Sequence, residues 1–297
     1  MYSQIDANKR KTVLLMFLFF VLIGILTFGV GWYFKTYSIT LIAIVFSLFY
    51  ILWSYFGADK LALTVNSAQQ IKKSDNPKLW RAVENLCITT GLPMPKIYII
   101  SDQALNAFAT GRDPNHASVA VTQGLLDTMN DNELKAVLAH ELGHVQNYDI
   151  RVAMIVFGLV AIVAIISDIV LRWLFWGGLF GDDDERPGGN NPIFLIFGIV
   201  ALILAPLVAT MIQLAISRKR EFLADATAAL TTRYPDALAS ALQKIQASGS
   251  ALKKQNASTA HLFFANPLSK KSFSNLFSTH PPIDARIKAL QEMAIKA

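Results

Sequence analysis

Apolar positions fall along this chain in two regimes. Four stretches, residues 12–34, 39–56, 152–171 and 192–216, are almost unbroken apolar runs, each near the about 20 helical residues that a bilayer core requires. Elsewhere the apolar residues recur with a period. From 76 to 91, Leu79, Ala82, Val83 and Leu86 sit at helical spacing and Pro93 and Pro95 end the pattern, which predicts an amphipathic helix. Residues 96–101 (KIYIIS) and 118–122 (SVAVT) are rich in β-branched side chains, with 106–110 (NAFAT) between them and Gly111, Pro114 and Asn115 as turn formers. A small antiparallel sheet is expected there. Asn130 followed three residues later by Glu133 has the form of a capping box, and Leu134, Val137, Leu138, Leu142 and Val145 then give one buried helix face.

Lys9, Arg10 and Lys11 ahead of the first apolar run suggest a secretory signal, but the run exceeds the about 7–15 residues of a signal core, no small-residue cleavage site is evident, and a second run follows almost at once. The first run is therefore read as a retained span. Lys60, Arg151, Arg218, Lys219 and Arg220 join the N-terminal basic residues on one side, against Lys35, Arg172 and Arg186 on the other, so both termini and the long polar segments are expected in the cytoplasm. The chain then divides into an N-terminal transmembrane hairpin (1–58), a first polar part (59–151), a second transmembrane hairpin (152–216) and a second polar part (217–297). Asp182, Asp183, Asp184 and Glu185 fall in the Gly- and Pro-containing connection of the second hairpin, read as a solvated loop. Asp168 and Arg172, one turn apart, are read as an interfacial pair rather than an ion path.

Composition agrees with a membrane chain: 53% of the residues are apolar or aromatic and 16% charged, against about 45–50% and about 25% in soluble domains. Such a chain is not disordered. Cys87 is the single cysteine, so no intrachain disulfide forms. The net charge of +6 does not indicate nucleic acid, because many basic residues flank the apolar runs instead of clustering on a soluble face with stacking aromatics.

Residues 140–144 read HELGH, an instance of HExxH. Four residues apart on a helix, His140 and His144 share one face and can meet one metal ion, while Glu141, offset by one position, can take a proton from water on that metal. The five His and six Glu of the chain give about 0.002 chance occurrences of the pattern. Catalytic zinc takes three protein ligands and keeps a fourth position for water. Candidates for the third ligand are Glu221, Asp225, His116, His261, His280 and the other aspartates.

Chain order narrows that choice, since Glu221 is the first carboxylate met after the second hairpin returns. At about 1.5 Å rise per residue, HELGH and Glu221 both stand within about 12 Å of the membrane boundary. Asp225, one turn after Glu221 in EFLAD, can accept a hydrogen bond from a ligand imidazole or serve as a surface charge. With Glu141 as general base, the chemistry is peptide hydrolysis. Its tetrahedral intermediate needs a further donor, and His280 in THPP and Arg286 six residues on are candidates, with capping and a salt bridge as equal alternatives. His116 and His261 are read as structural. Phe263 and Phe264 either pack on the domain or touch lipid.

HELGH, a membrane hairpin, EFLAD and a late HPP followed by Arg together resemble the HtpX family of integral-membrane zinc metalloproteases, relatives of the type I CAAX prenyl proteases. The resemblance covers essentially the whole chain, including NAFATG at 106–111 and the basic run before Glu221. It implies a mostly α membrane protein with four transmembrane helices and a zincin-like (gluzincin) α+β catalytic domain in the cytoplasm, containing a small sheet. It implies one zinc ion per chain on His140, His144 and Glu221, Glu141 as base, and Asp225 as the partner of a ligand imidazole. Asn106, Ala107, Phe108 and Ala109 would form an edge strand beside which substrate lies extended, and His280 and Arg286 would hold substrate or stabilise the intermediate. The implied substrates are misfolded or damaged membrane proteins and unfolded polypeptides, cut at cytoplasmic segments during membrane quality control under stress, in a bacterial cytoplasmic (inner) membrane.

Three other readings compete. A catalytically silent membrane scaffold or holding factor on the same fold would not need Glu141. A transporter lacks the Gly/Pro-interrupted spans in two matching halves that mark a midplane site. A prenyl-protein protease shares the motif chemistry, but four spans are few to enclose a large chamber.

Overall fold

The computed structural model describes residues 2–35, 37–162, 218–249, 252, 259, 262–265 and 281–296. Two long helices come first, α1 (Tyr2–Phe34) and α2 (Ser38–Val65), because a long stretch of each, 12–34 and 39–56, is apolar nearly all round and neither helix contains proline. They leave Val13, Phe17, Ile25, Phe28 and Trp32 of α1 and Leu41, Ile42, Val45, Phe49 and Leu52 of α2 exposed, a surface suited to lipid and adverse in water.

The polar part begins with a short strand, β1 (Ala68–Gln70), and α3 (Pro77–Thr90). The expected amphipathic helix is present: Asn76 caps it, Pro77 opens it, Leu79, Ala82, Val83, Leu86 and Cys87 are buried, and Gly91 at φ 70° closes it. β2 (Lys96–Ile100), β3 (Ala107–Gly111) and β4 (Ala117–Thr122) follow, then α4 (Gln123–Thr128) and α5 (Asp131–Gln146). Asn130 and Glu133 form the capping box at the start of α5. α6 (Asp149–Ile162) leaves α5 at 79°, after Tyr148 turns the chain at φ 60°. The later helices are α7 (Arg218–Thr232), α8 (Pro235–Ser248) and α9 (Ile283–Lys296).

The sheet corrects one expectation, because it is mixed, not antiparallel. Its order is β1-β2-β4-β3, with β2 parallel to β4 and the other two pairings antiparallel. The central position of β4 explains the difference. All six of its residues are buried, as suits a strand covered on both faces, so β3 is displaced to the edge. The Thr122 hydroxyl fixes the crossing loop by donating to the Ala104 carbonyl at 2.6 Å and accepting from the Asn106 N–H at 3.0 Å. Gly111 ends β3 at φ 137°, where a side chain would collide with the His116 carbonyl.

One core joins the sheet to α3, α5, α8 and α9. A second joins Ala58, Ala62 and Leu63 of α2 to Ile100, Phe108, Met154 and Phe263, so the last turns of α2 belong to the polar domain. A third packs Leu15 and Phe19 of α1 on Val152, Ile155 and Leu159 of α6.

Among the described helices, the segment Thr40–Val65 is long and apolar enough to cross a membrane, with mean hydropathy 2.0. The bent pair α5 and α6 is a second candidate, although α5 itself is a domain helix. The expected spans past Ile162, Asp168, Arg172 and the 181–191 loop lie outside the described residues.

Candidate metal centre

The site grows from the inward face of α5. The buried residues of this helix run almost continuously from Leu134 to Val145, so His140 and His144 are presented inside the domain, with ring centroids 4.8 Å apart. Their Nε2 atoms stand 3.2 Å from one another. α7 packs against the same face where Gly143 meets Ala224, a Cβ there reaching Ala224 at 3.7 Å. This approach brings Glu221 to 3.7 Å from His140 Nε2 and 3.6 Å from His144 Nε2. One ligand atom from each of the three residues lies within 4.8 Å of the others.

Each imidazole is backed by a carboxylate. Asp225, one turn after Glu221, stands 2.9 Å from His140 Nδ1, and Asp149 stands 3.0 Å from His144 Nδ1. A carboxylate accepts, so each Nδ1 donates its hydrogen to its own carboxylate and each Nε2 is turned toward Glu221. Behind Asp225 lies Arg286 of α9, donating from Nε at 2.8 Å and from Nη2 at 2.7 Å. Its guanidinium stacks 4.6 Å from the Phe264 ring centroid, and Phe264 meets the His140 ring edge-on at 4.8 Å. Arg286 therefore faces away from solvent, behind the histidine. Behind Asp149 lie Arg220 of α7, with Nη1 at 2.9 Å, and Asn8 of α1, with Nδ2 at 2.8 Å.

Burial is the largest influence on the titration of His140 and lowers it to about 4, only partly opposed by Asp225. At His144 burial also opposes protonation, but the Asp149 hydrogen bond and the Glu221 charge outweigh it and raise the value to about 9. Glu141 is pushed up to about 7, chiefly by burial. Around the histidines four buried carboxylates, Glu141, Asp149, Glu221 and Asp225, face two buried guanidiniums, Arg220 and Arg286. Two imidazoles with a carboxylate are a donor set that suits zinc.

Glu141 also meets the sheet, since the Ala109 backbone hydrogen-bonds to its carboxylate. Nearer the start of β3 the chain occupies the strand edge itself: the Phe264 N–H donates to the Ala107 carbonyl at 2.8 Å, and the Asn106 amide brackets Ala265 at 2.8 and 3.1 Å. Phe108 is fully buried, with its ring 4.9 Å from Phe263. Both phenylalanines thus pack on the domain. His116 ends a 3₁₀ turn and pairs with Asp113 at 2.7 Å. His261 and His280 lie outside the described residues.

Sequence reasoning missed Asp149, Arg220, Asn8 and Phe264. Asp149 follows His144 by five residues, off its helical face, and only the 79° bend returns it.

The sequence model of Peptidase family M48 matches residues 73–294. The chain is similar to a protease HtpX homolog of Tropheryma whipplei (strain Twist), 50% identical over 294 residues, which cover 99% of this chain and 98% of that one. A protease HtpX homolog of Lactobacillus helveticus (strain DPC 4571) is 44% identical over 300 residues, covering 99% and 100%. The crystal structure of S. mikatae Ste24p shares the fold, with TM-score 0.51 and 21% identity over 98% of this chain and 67% of that chain.

Proposed function

The chain belongs to peptidase family M48 and, like the HtpX homologues it resembles over its whole length, is a membrane metalloprotease; from that premise we propose that His140, His144 and Glu221 hold one zinc ion per chain and that Glu141 is the general base. The observation that carries this reading is the cluster of three ligand atoms within 4.8 Å of one another, with Glu141 beside it on α5. A zinc ion held there supplies a Lewis acid that acidifies water and polarises the scissile carbonyl.

The remaining work falls to the protein's own groups. Glu141 holds the proton at its carboxylate and returns it to the leaving amine nitrogen. Ala109, bonded to that carboxylate, sets it beside the edge strand, and a substrate backbone laid along β3 pairs there. Of the four edge residues expected to bind substrate, Asn106 and Ala107 are engaged by Phe264 and Ala265, so pairing is assigned from Ala109 onward. Asp225 orients His140, and Arg286 acts through Asp225, its Nη1 also 3.9 Å from Glu221. His280 is retained as the donor that holds substrate or stabilises the intermediate.

The substrates proposed are misfolded membrane proteins and unfolded polypeptides, cut at cytoplasmic segments by an enzyme with four spans in the bacterial inner membrane and its catalytic domain in the cytoplasm. A silent scaffold on this fold is not favoured in a family of peptidases.

The test measures zinc content and cleavage of an unfolded membrane-protein substrate by detergent-purified protein, beside Glu141→Ala and Glu221→Ala. The expected result is about one zinc per chain, turnover lost in both variants, by about 10²–10⁴-fold for Glu141→Ala, and zinc binding weakened only by Glu221→Ala. Absence of zinc from the wild-type protein would overturn the site.

A further inference from the structure

We propose that Asn8 on the first membrane helix is a positioning residue for His144: it holds Asp149, which orients the imidazole, so that α1 is part of the metal centre. The inference rests on the zinc reading above. Asn8 is 139 residues from Asn147 in sequence and 3% exposed, and both hydrogens of its amide are used. Nδ2 donates at 2.8 Å to the Asn147 carbonyl and at 2.8 Å to Asp149 Oδ1, while its Oδ1 faces Arg220 Nη1 at 3.4 Å. A flipped amide would set its oxygen against two acceptors, so the partners fix its orientation.

Each of these bonds has a consequence for the site. Asn147 closes α5 immediately before the 79° bend, and a donor on its carbonyl satisfies a group that a helix end leaves orphaned. Asp149 Oδ1 receives Asn8 from α1 and Arg220 from α7, which leaves Oδ2 for His144 Nδ1 at 3.0 Å. Two donors from two different elements therefore fix the plane of the carboxylate that orients the ligand. Partners of this kind shift metal affinity without touching the metal. The packing of Leu15 and Phe19 against α6 holds α1 in place through apolar side chains that cannot join these hydrogen bonds.

The experiment compares zinc affinity, by chelator competition on the full chain in detergent, for wild type, Asn8→Leu, Asp149→Ala, their double variant and Leu15→Ala. Asn8→Leu is expected to weaken zinc binding about tenfold, the low end of the range for outer partners of a metal ligand, and to lower kcat with KM unchanged. The double variant should bind no more weakly than Asp149→Ala alone, since Asn8 acts through Asp149. Leu15→Ala should lower Tm yet keep wild-type zinc affinity, which separates positioning from packing. Asn8→Asp, equal in size but setting a second carboxylate against Asp149, should weaken zinc as well and serves if Asn8→Leu fails to fold. Wild-type affinity in both Asn8 variants, or fully additive losses in the double variant, would overturn the proposal while leaving the metalloprotease reading intact. A wild-type protein that binds no zinc would overturn both.

Discussion

His140 and His144 are held by one arrangement built twice, an imidazole on a carboxylate on a guanidinium, and the two copies titrate in opposite directions. At His140 the partners are Asp225 and Arg286, with side-chain exposures of 1% for His140, 2% for Asp225 and 1% for Arg286. Burial prevails there and drives the imidazole down to about 4, Arg286 adding to the effect. At His144 the partners are Asp149 and Arg220, with 17%, 11% and 9% exposure. There Asp149, Glu221 and Glu141 outweigh burial, and the imidazole rises to about 9. The deep copy is closed by a two-bond guanidinium, and the shallow copy by one guanidinium bond and an amide from α1. A ligand can thus be fixed by rigid burial or by tethering to a distant element, and the chain uses one of each.

The largest effect should come from removing the two carboxylates. Asp225→Ala leaves the Arg286 guanidinium buried with Glu221, 3.9 Å away, as an ion-pair partner, and breaking a buried pair in this way costs about 3–5 kcal/mol. Asp149→Ala leaves Arg220 less buried and still near Asn8, and should cost about 1–3 kcal/mol. Both should weaken zinc binding about 10–100-fold. Chemical denaturation in micelles, paired with chelator competition, checks the order; a greater stability loss for Asp149→Ala would reverse the assignment of deep and shallow copies.

The same contrast explains what could be read from the sequence. His140, Glu141 and His144 were legible because helical spacing alone puts the imidazoles on one face, and Glu221 and Asp225 because chain order and one helical turn bring them to that face. The deep copy was thus visible down to Arg286, though not the reversal that places its guanidinium behind Asp225. Little of the shallow copy was visible. Arg220 stood in a basic run read as a topology marker, and its pairing with Asp149 depends on the α5–α6 bend; Asn8 depends on how α1 packs on α6. In the sheet, β-branched runs located β2 and β4, and NAFAT located β3. The parallel pairing of β2 and β4 depends on a crossing loop held by Thr122, and β1 (AQQ) has neither the length nor the residues of a strand signal.

A smaller effect separates two bonds from one. Lysine keeps the charge of arginine but not its planar fork. Arg286→Lys forfeits one of two short bonds to Asp225 and should cost about 1.5–3 kcal/mol, as for a hydrogen bond to a charged group. Arg220→Lys retains a single-donor contact and should cost under about 1 kcal/mol. Equal losses in thermal unfolding would mean that the two guanidiniums are equivalent, and the comparison would fail at this point.

The smallest effect on zinc binding acts on both copies together, through the start of the helix that carries both histidines. Glu133 accepts from the Asn130 N–H at 2.9 Å, from Ser240 at 2.6 Å and from Lys244 at 2.6 Å. Burial alone would raise its titration, but Lys244, Ser240 and the Asn130 N–H outweigh it and hold the carboxyl below its ordinary value. A depressed carboxyl stabilises the fold at pH above its unfolded value of about 4.3 and loses that contribution as pH falls through the folded value. Glu133→Gln should therefore cost about 1 kcal/mol near neutral pH, the scale of a helix cap, and the gap to wild type should close as the pH is lowered past about 4. Because the cap anchors α5 as a whole, His140 and His144 should lose zinc affinity to a similar, small degree when this variant is combined with Asp149→Ala or Asp225→Ala. A gap in stability that persists unchanged in acid would show that Glu133 contributes through its shape and not its charge.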